Sequence, residues 1–519
     1  MRESGKPPEP QGAVGPTIEA VGLDEAGQGV ARAAGAAVSG VPGLPGDRVV
    51  HVADLLPGER AEVVIEHRSP HRPEDWARIA RRIGDLSPER VAPSCRAWGA
   101  CGGCVWQHLA YDAQLREKRA RVVTALRNAV ADVDVRVAPV VPSPAELGYR
   151  TKGKYVAGAE RRSGRRDERG GRVAGGGGRP GDGPSRVLLG AWAPRSHALV
   201  DTSGCRVVAP VIEELRERVR VAAEAAGLEP WDERRKVGAL RYVIVRATRD
   251  RGASRVSGAS AEGPRALVVL VVRSNADAAR VDAVARAVAE DSRVAGVVRM
   301  DNDRNDGALL DGEARVLVGA ASVTEVLSGV DVEVGAGEFA QVNPAQADAM
   351  YARVADLVMG DGGRGTADGT RGTGDGARAR VADVYAGLGG ITFALARAGA
   401  SVVAIERDAS AIDAMRAAAV GAGLTERVDA RAGDAATLGE LRDLDAIVVN
   451  PPRKGLAKDV VAAVVASTAK RVVYVSCGPE ALGRDLALLR DGGFTVETIE
   501  PYDLMPGTAQ VETIVALSR

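Results

Sequence analysis

The chain has 519 residues, enough for three or four domains, and its 45% apolar content supplies sizeable cores. Its 69 Lys and Arg balance 69 Asp and Glu, which excludes a global basic field and confines any nucleic-acid binding to local patches. Aromatic residues make up only 3%, so platforms on which a base could stack are few. Residues 1–15 are polar and rich in Pro and Gly, which predicts a disordered tail and no signal peptide. No run of about 18 to 20 apolar residues occurs, so no membrane span is expected and the expected location is the cytoplasm.

Short β-type runs broken by Gly and Pro occupy residues 16–83, among them Thr17-Ile18-Glu19-Ala20-Val21, Gly29-Val30-Ala31-Arg32 and Ala61-Glu62-Val63-Val64-Ile65, and they predict a small OB-like β-barrel. A cysteine cluster follows. Residues 111–130 have helical composition and carry Arg116, Lys118, Arg119, Arg121 and Arg127. A low-complexity Arg/Gly insert at 161–186 is expected to be disordered; residues 149–186 hold eleven Lys and Arg against four Asp and Glu, which suits either phosphate contact or a solvated insertion. Strand-like runs return at Leu240-Arg241-Tyr242-Val243-Ile244-Val245 and at 266–272, giving an α+β middle domain over 93–345. A second Gly-rich insert, 360–376, lies within the last domain, 346–519, where strands and helices alternate from Arg380 onward and predict a parallel, Rossmann-like α/β sheet.

Five cysteines is an odd number, and without export signals it favours metal or redox chemistry over disulfides. Cys95-x5-Cys101-Gly102-Gly103-Cys104 places three thiols within ten positions, and Cys205 could complete a four-cysteine set. Such a set suits an iron–sulfur cluster ahead of zinc or free thiols.

Three strand ends converge in the last domain. Val381-Ala382-Asp383-Val384-Tyr385-Ala386-Gly387-Leu388-Gly389-Gly390 is a strand entering a glycine loop, which lets a ligand approach the backbone at a helix start. Glu406 ends the next strand, sixteen residues after Gly390, where a carboxylate can accept from ribose hydroxyls. Asp445-Ala446-Ile447-Val448-Val449-Asn450-Pro451-Pro452-Arg453 is a strand ending in a polar turn, and with the other two it suits S-adenosylmethionine better than a dinucleotide. Cys477 follows the apolar run Val472-Val473-Tyr474-Val475, and Ser476-Cys477-Gly478-Pro479 ends that strand abruptly. An isolated Cys is more often a small buried hydrophobe; at a strand end beside a nucleotide-type pocket it is a candidate nucleophile.

These residues together resemble the RNA uracil-5-methyltransferases, which form 5-methyluridine in tRNA or 23S rRNA, and the likeness spans nearly the whole chain. The resemblance implies that residues 16–83, with Gly27-Gln28-Gly29-Val30-Ala31 and Leu56-Pro57-Gly58-Glu59, form a TRAM domain. It implies a [4Fe–4S] cluster on Cys95, Cys101, Cys104 and Cys205, followed by Gln107-His108. Phe339-Ala340-Gln341-Val342-Asn343 matches the family's F-x-Q-x-N, and the C-terminal part is implied to be a class I methyltransferase. Ser476-Cys477 matches the nucleophile motif, and Met505-Pro506-Gly507-Thr508-Ala509-Gln510-Val511-Glu512 the segment that ends in the base, Glu512. Gln341, Tyr385, Gly387, Glu406, Asp434 and Asn450 become the implied contacts to cofactor or substrate. On residue type alone Asp434 reads equally as a helix N-cap and Glu512 as a solvated strand-edge carboxylate. The chain departs from the family at Asn450 (usually Asp), near Gly390 (usually an Asp or Asn), at Gln510 (often His) and at Ala386 (often Cys).

The implied partners are S-adenosylmethionine and RNA, rRNA ahead of tRNA, with no membrane and a monomeric protein. Uracil C5 is a poor nucleophile, and thiolate addition at C6 would turn the ring into an enolate that is nucleophilic at C5. Cys477 is therefore expected to attack C6, and Glu512 to remove the C5 proton after methyl transfer. A base in folded RNA would have to be extruded into the pocket. An RNA cytosine-5-methyltransferase uses the same thiol chemistry, but those usually have a second Cys after the Pro-Pro strand, which Asn450-Pro451-Pro452-Arg453 lacks. A tRNA-directed enzyme and a non-catalytic iron–sulfur RNA-binding protein would also fit parts of this pattern.

Overall fold

The computed structural model describes residues 16–32, 48–160, 186–194, 196, 198–232, 235–250, 263–304, 312–360 and 378–519. The tail expected at 1–15 and the inserts expected at 161–186 and 360–376 lie outside these residues, apart from Arg186 and Gly360 at their edges. The chain forms two compact units, residues 1–121 with 505–510, and 122–504 with 511–519.

The first unit carries one six-stranded sheet of β1 (Thr17–Glu19), β2 (Gly22–Leu23), β3 (Gly29–Arg32), β4 (Val49–Val52), β5 (Arg60–Arg68) and β6 (Glu74–Ile83), in the order β1-β5-β6-β4-β3-β2. All neighbours are antiparallel except β4 and β6. Alternate residues face one core of Ile18, Val50, Val52, Leu55, Ala61, Val63 and Ala77, the period-two pattern of a half-buried sheet. Gly27 turns the β2–β3 hairpin at φ 74°, where a Cβ would lie 2.5 Å from the Val105 carbonyl oxygen. Buried Glu59 accepts from Arg82, from Arg90 and from the N–H groups of Leu56 and Ser87. Despite its burial, those partners hold its carboxyl at about 2.

Residues 95–104 form a loop whose turns are closed by Trp98 N–H donating to Cys95 O and Cys101 N–H to Ala97 O. Helix α1 (Tyr111–Leu126) follows. The 505–510 segment is held within this unit from both sides of its backbone. Trp106 N–H donates to Gly507 O at 2.9 Å, and Gln114 Oε1 accepts from Gly507 N–H at 2.8 Å. Buried Lys118 donates from Nζ to Met505 O at 3.1 Å.

In the second unit, α2 (Val133–Arg136) precedes a mixed sheet of β7 (Lys152–Glu160), β8 (Arg186–Trp192), β9 (Leu199–Asp201), β10 (Leu240–Ala247), β11 (Ala266–Val272), β12 (Val294–Asp301) and β13 (Ala314–Gly319). Its order is β13-β12-β11-β10-β7-β8-β9, and only β11 and β12 run parallel. Helices α3 (Pro210–Ala225) and α4 (Ala278–Ala289) bury Leu215, Val219, Val281 and Val284 against one face. Residues of the hairpin β14 (Ser322–Leu327) and β15 (Val330–Gly335) close on the other, where Val323 joins Val269, Val271 and Val298. Covered on both faces, β11 is buried at every residue, as an uninterrupted Ala-Leu-Val-Val-Leu-Val-Val run requires.

After α5 (Pro344–Met359) comes the last sheet: β16 (Arg380–Val384), β17 (Ser401–Glu406), β18 (Val428–Ala432), β19 (Ala446–Val449), β20 (Arg471–Ser476), β21 (Thr495–Tyr502) and β22 (Glu512–Ser518). It is wound with α6 (Gly390–Arg397), α7 (Ala409–Gly421), α8 (Lys458–Ala466) and α9 (Pro479–Asp491). The order is β18-β17-β16-β19-β20-β22-β21; β16 to β20 are parallel, and β22 is antiparallel to both its neighbours. Val384, Ile405, Val449, Val472 and Tyr474 fill its core with Val460, Leu482 and Leu486 from the helices. No helix among the described residues is long and apolar enough to cross a membrane.

Candidate active site

Strand order reverses between β16 and β19, and the crevice beyond their carboxyl ends is where an open α/β sheet takes its ligand. The candidate residues fall along this edge. Tyr385 follows β16 at φ 65°, an uncommon conformation for an aromatic residue and a local strain. Gly387 and Gly389 follow at φ 54° and 89°, and Gly389 caps α6. A Cβ on Gly387 would meet nothing within 4 Å, so the backbone there is open to a ligand. Glu406 ends β17; its Oε2 accepts from Gly387 N–H at 3.1 Å and its Oε1 from Asp408 N–H at 3.0 Å. The carboxylate thus shapes the glycine loop and keeps further lone pairs for a ligand. Asn450 follows β19, half-buried, with its N–H donating to Val384 O. Asp434 lies beyond β18 and caps a 3-10 turn, accepting from Ala436 N–H at 3.0 Å. Gln341 is half-buried before α5, and no hydrogen bond among the described residues ties it to the others.

Cys477 and Glu512 come together by strand register. Ser476 pairs with Thr513 across β20 and β22, so the next residues outward, Cys477 and Glu512, occupy facing positions at the sheet edge. Burial pushes the Glu512 carboxyl up to about 7, against the pull of the Arg453 guanidinium. Burial and then the Glu512 charge push the Cys477 thiol up to about 11, and Arg453 again opposes the shift. One cation, on the turn after Asn450, therefore favours the ionised form of both groups.

Four further residues, none of them among the expected contacts, build the site. Asp383, fully buried beneath the glycine loop, accepts from Thr392 Oγ1 at 2.6 Å, while its Oδ1 has no partner. Burial raises its carboxyl to about 7. Tyr351 of α5 lies against the start of α6: a Cβ on Gly390 would be 2.5 Å from Tyr351 Cε2. Burial, then the charges of Glu512, Asp348 and Asp383, keep the Tyr351 hydroxyl protonated beyond its usual range. Asn343 caps α5 and donates from Nδ2 to Ser143 Oγ (2.9 Å) and Leu504 O (3.2 Å), so it fixes the backbone rather than facing a ligand. Buried Asp485 accepts from Tyr474 Oη at 2.8 Å and Leu456 N–H at 2.7 Å, which anchors the loop that carries Arg453. Arg453, Asn343 and Asp383 were legible inside Asn450-Pro451-Pro452-Arg453, the F-x-Q-x-N segment and the strand entering the glycine loop; Tyr351 and Asp485 lacked a local signal.

The five cysteines are half-buried and no disulfide joins them. Among the described residues no group of three or more His, Cys, Asp or Glu is arranged to hold a metal ion. Cys95, Cys101 and Cys104 are spread along a turning loop, and Cys205 packs against the core of the mixed sheet.

Over 96% of its length the chain is similar in fold to the solved Pyrococcus abyssi tRNA (uracil-54, C5)-methyltransferase in complex with S-adenosyl-L-homocysteine, with a TM-score of 0.66, 20% identity and all of that chain covered. Residues 373–474 match the family model described as methyltransferase small domain. Five parallel strands, with antiparallel β22 inserted between β20 and β21, have the strand order of a class I methyltransferase domain. Residues 436–519 match the family model tRNA (Uracil-5-)-methyltransferase. An uncharacterised RNA methyltransferase of Halalkalibacterium halodurans is 27% identical over 93% of this chain and 94% of its own length. Another, of Parasynechococcus marenigrum, is 28% identical over 97% and 95%. By these matches the chain is similar to the uracil-5-methyltransferase family of RNA methyltransferases.

Proposed function

We propose that the protein methylates C5 of a uridine in RNA, with Cys477 as nucleophile and Glu512 as base. The observation that carries this reading is the facing pair at the ends of β20 and β22, with Arg453 biasing both toward their anions. The Cys477 thiolate adds to uracil C6, and the ring's electrons move to C5 and O4. S-adenosylmethionine supplies the methyl group to C5 and leaves as the neutral thioether. Glu512 then takes the C5 proton, the C5–C6 double bond re-forms, and the Cys477 sulfur is expelled as thiolate. A carboxyl held near neutrality suits that proton transfer.

Gly387, Tyr385, Glu406, Asp434, Asn450 and Gln341 are proposed to hold the cofactor or the uracil. The open Gly387 backbone and the unpartnered Asp383 Oδ1 beneath the loop support a ligand there. Residues 16–83 are proposed as a TRAM-type RNA-binding barrel. Support comes from a cross-strand aromatic ladder in which His51 stacks on Trp76 at 5.3 Å and His67 tilts against it at 5.5 Å, a platform on which bases can stack. The remaining parts of the reading, an rRNA substrate, a cytoplasmic monomer, and a structural [4Fe–4S] cluster on Cys95, Cys101, Cys104 and Cys205, rest on the sequence resemblance, and no step of the reaction uses the cluster.

RNA containing 5-fluorouridine tests the mechanism, because fluorine at C5 cannot leave as a proton. With S-adenosylmethionine the wild-type chain is expected to form a denaturant-stable protein–RNA species that Cys477→Ala does not form. The same yield of that species from Cys477→Ala would remove Cys477 as nucleophile.

A further inference from the structure

The mixed sheet contains one βαβ unit: parallel β11 and β12 joined through α4. Ligands of such units gather beyond the carboxyl ends of the parallel strands. At that end, outside the methyltransferase sheet, lies a pocket of about 410 Å³ lined by Trp231, Lys236, Arg273, Asn275 and Asp303. Arg273 directly follows β11, and Asp303 stands two residues beyond β12.

Its side chains are pre-set. Arg273 lies over the Trp231 ring at 4.6 Å from the centroid. Asp303 holds it there, with Oδ1 3.1 Å from Arg273 Nε and its carbonyl accepting from a terminal nitrogen at 2.8 Å. Asp303 is in turn fixed by Ser274, whose N–H donates to Oδ1 at 3.0 Å and whose hydroxyl donates to Oδ2. The hairpin bearing Trp231 is tied to the same strand end by Arg273 N–H donating to Ala239 O at 2.9 Å. Lys236 is exposed, with its ammonium 5.9 Å from the Trp231 centroid. Among the described residues no ion pair engages it. The Trp231 indole N–H is buried without a partner. One ammonium, an unspent indole donor, an amide and a guanidinium plane backed by an indole are what a phosphate with its neighbouring base requires. In a chain with 3% aromatics, a Trp committed to this cluster is a scarce resource.

We propose that this pocket binds one nucleotide of the RNA substrate away from the reacting uridine, with Lys236 on a phosphate and the Arg273–Trp231 stack against a base. The proposal deepens the RNA-methylation reading and rests on it. It is tested with the full chain by measuring RNA affinity against salt concentration for wild type, Lys236→Glu and Arg273→Ala, together with S-adenosylmethionine affinity and kcat at saturating RNA. Each variant is expected to weaken RNA binding about tenfold, and Lys236→Glu also to flatten the slope of log K against log salt by at least about one, as for a lost phosphate contact. S-adenosylmethionine affinity and kcat should stay at the wild-type values, which also reports that the variants fold. Wild-type RNA affinity and salt slope in both variants would overturn the pocket whatever the catalytic result. Loss of RNA binding in the variants, from a wild-type protein that binds RNA yet forms no 5-methyluridine, would support the pocket and sink the methylation reading instead. Uridine 5′-monophosphate and inorganic phosphate serve as competitors; binding of either with RNA affinity unchanged in the variants would show a free-anion site and overturn the RNA assignment.

Discussion

The ring of Tyr351 occupies the space that a side chain at Gly390 would need, with Cε2 2.5 Å from where a Cβ would stand. The resemblance implies an Asp or Asn near this position, and here the space is filled from α5. Both backbone segments are fixed: Asn343 caps α5, and Ser328 Oγ donates to Gly390 O at 2.7 Å. Gly390→Asn should therefore weaken S-adenosylmethionine binding by about tenfold or more, with loss of stability of about 1 to 3 kcal/mol from overpacking. Tyr351→Ala combined with Gly390→Asn should recover part of the affinity. Calorimetric titration of the three proteins checks this, and an unaffected single variant would show that the ring yields freely.

Glu512→Gln should stall the reaction after methyl transfer, because the proton at C5 has no acceptor. The expected species is a covalent protein–RNA adduct carrying the methyl group, seen by denaturing gel with labelled cofactor and absent from the Cys477→Ala/Glu512→Gln double variant. Normal turnover by Glu512→Gln would leave this carboxylate a structural neighbour only.

The rate should rise with pH. Glu512 must be ionised to act as base, and its carboxyl is raised to about 7. Cys477 must be a thiolate, and its thiol is raised to about 11. Single-turnover rates should climb most steeply below about pH 7, where both groups gain charge, and more gently above it. Removing Arg453 removes the charge that lowers both values, so Arg453→Ala should lose about tenfold or more at pH 7, and because pH 9.5 is still below a thiol raised to about 11, the thiolate part of that loss, tenfold per pKa unit, should persist there. A rate independent of pH from 6 to 9 would contradict these assignments.

The first unit should lose stability in acid in a defined window. The Glu59 carboxyl is held at about 2 in the folded chain, below its ordinary value of 4.5. A lowered folded value contributes stability that is present above about pH 4.5 and is lost as pH falls toward 2. Glu59→Gln leaves Arg82 and Arg90 without their buried partner and should cost about 3 kcal/mol at pH 7. Hydrogen exchange of peptides from residues 56–90 checks both, and equal protection at pH 5 and pH 3 in wild type would contradict the pH window.

The last sheet was legible because its strands are apolar runs ended by polar turns. Tyr385, Glu406, Asn450 and Cys477 each follow or close such a run, and they do lie on one edge. The facing of Cys477 and Glu512 was not legible, since it depends on the register of β20 with β22 across thirty-five residues of chain. Tyr351 and Asp485 carry no motif; their importance comes from what packs on them.

The central claim is methyl transfer to uridine C5, and nucleoside analysis of the product tests it most directly. Purified chain, tritiated-methyl S-adenosylmethionine and unmodified 23S rRNA and tRNA transcripts are incubated, and the RNA is digested to nucleosides. The account predicts label in 5-methyluridine, dependent on Cys477. Label in 5-methylcytidine or another nucleoside, or none in any RNA from a protein that binds S-adenosylmethionine, would contradict it.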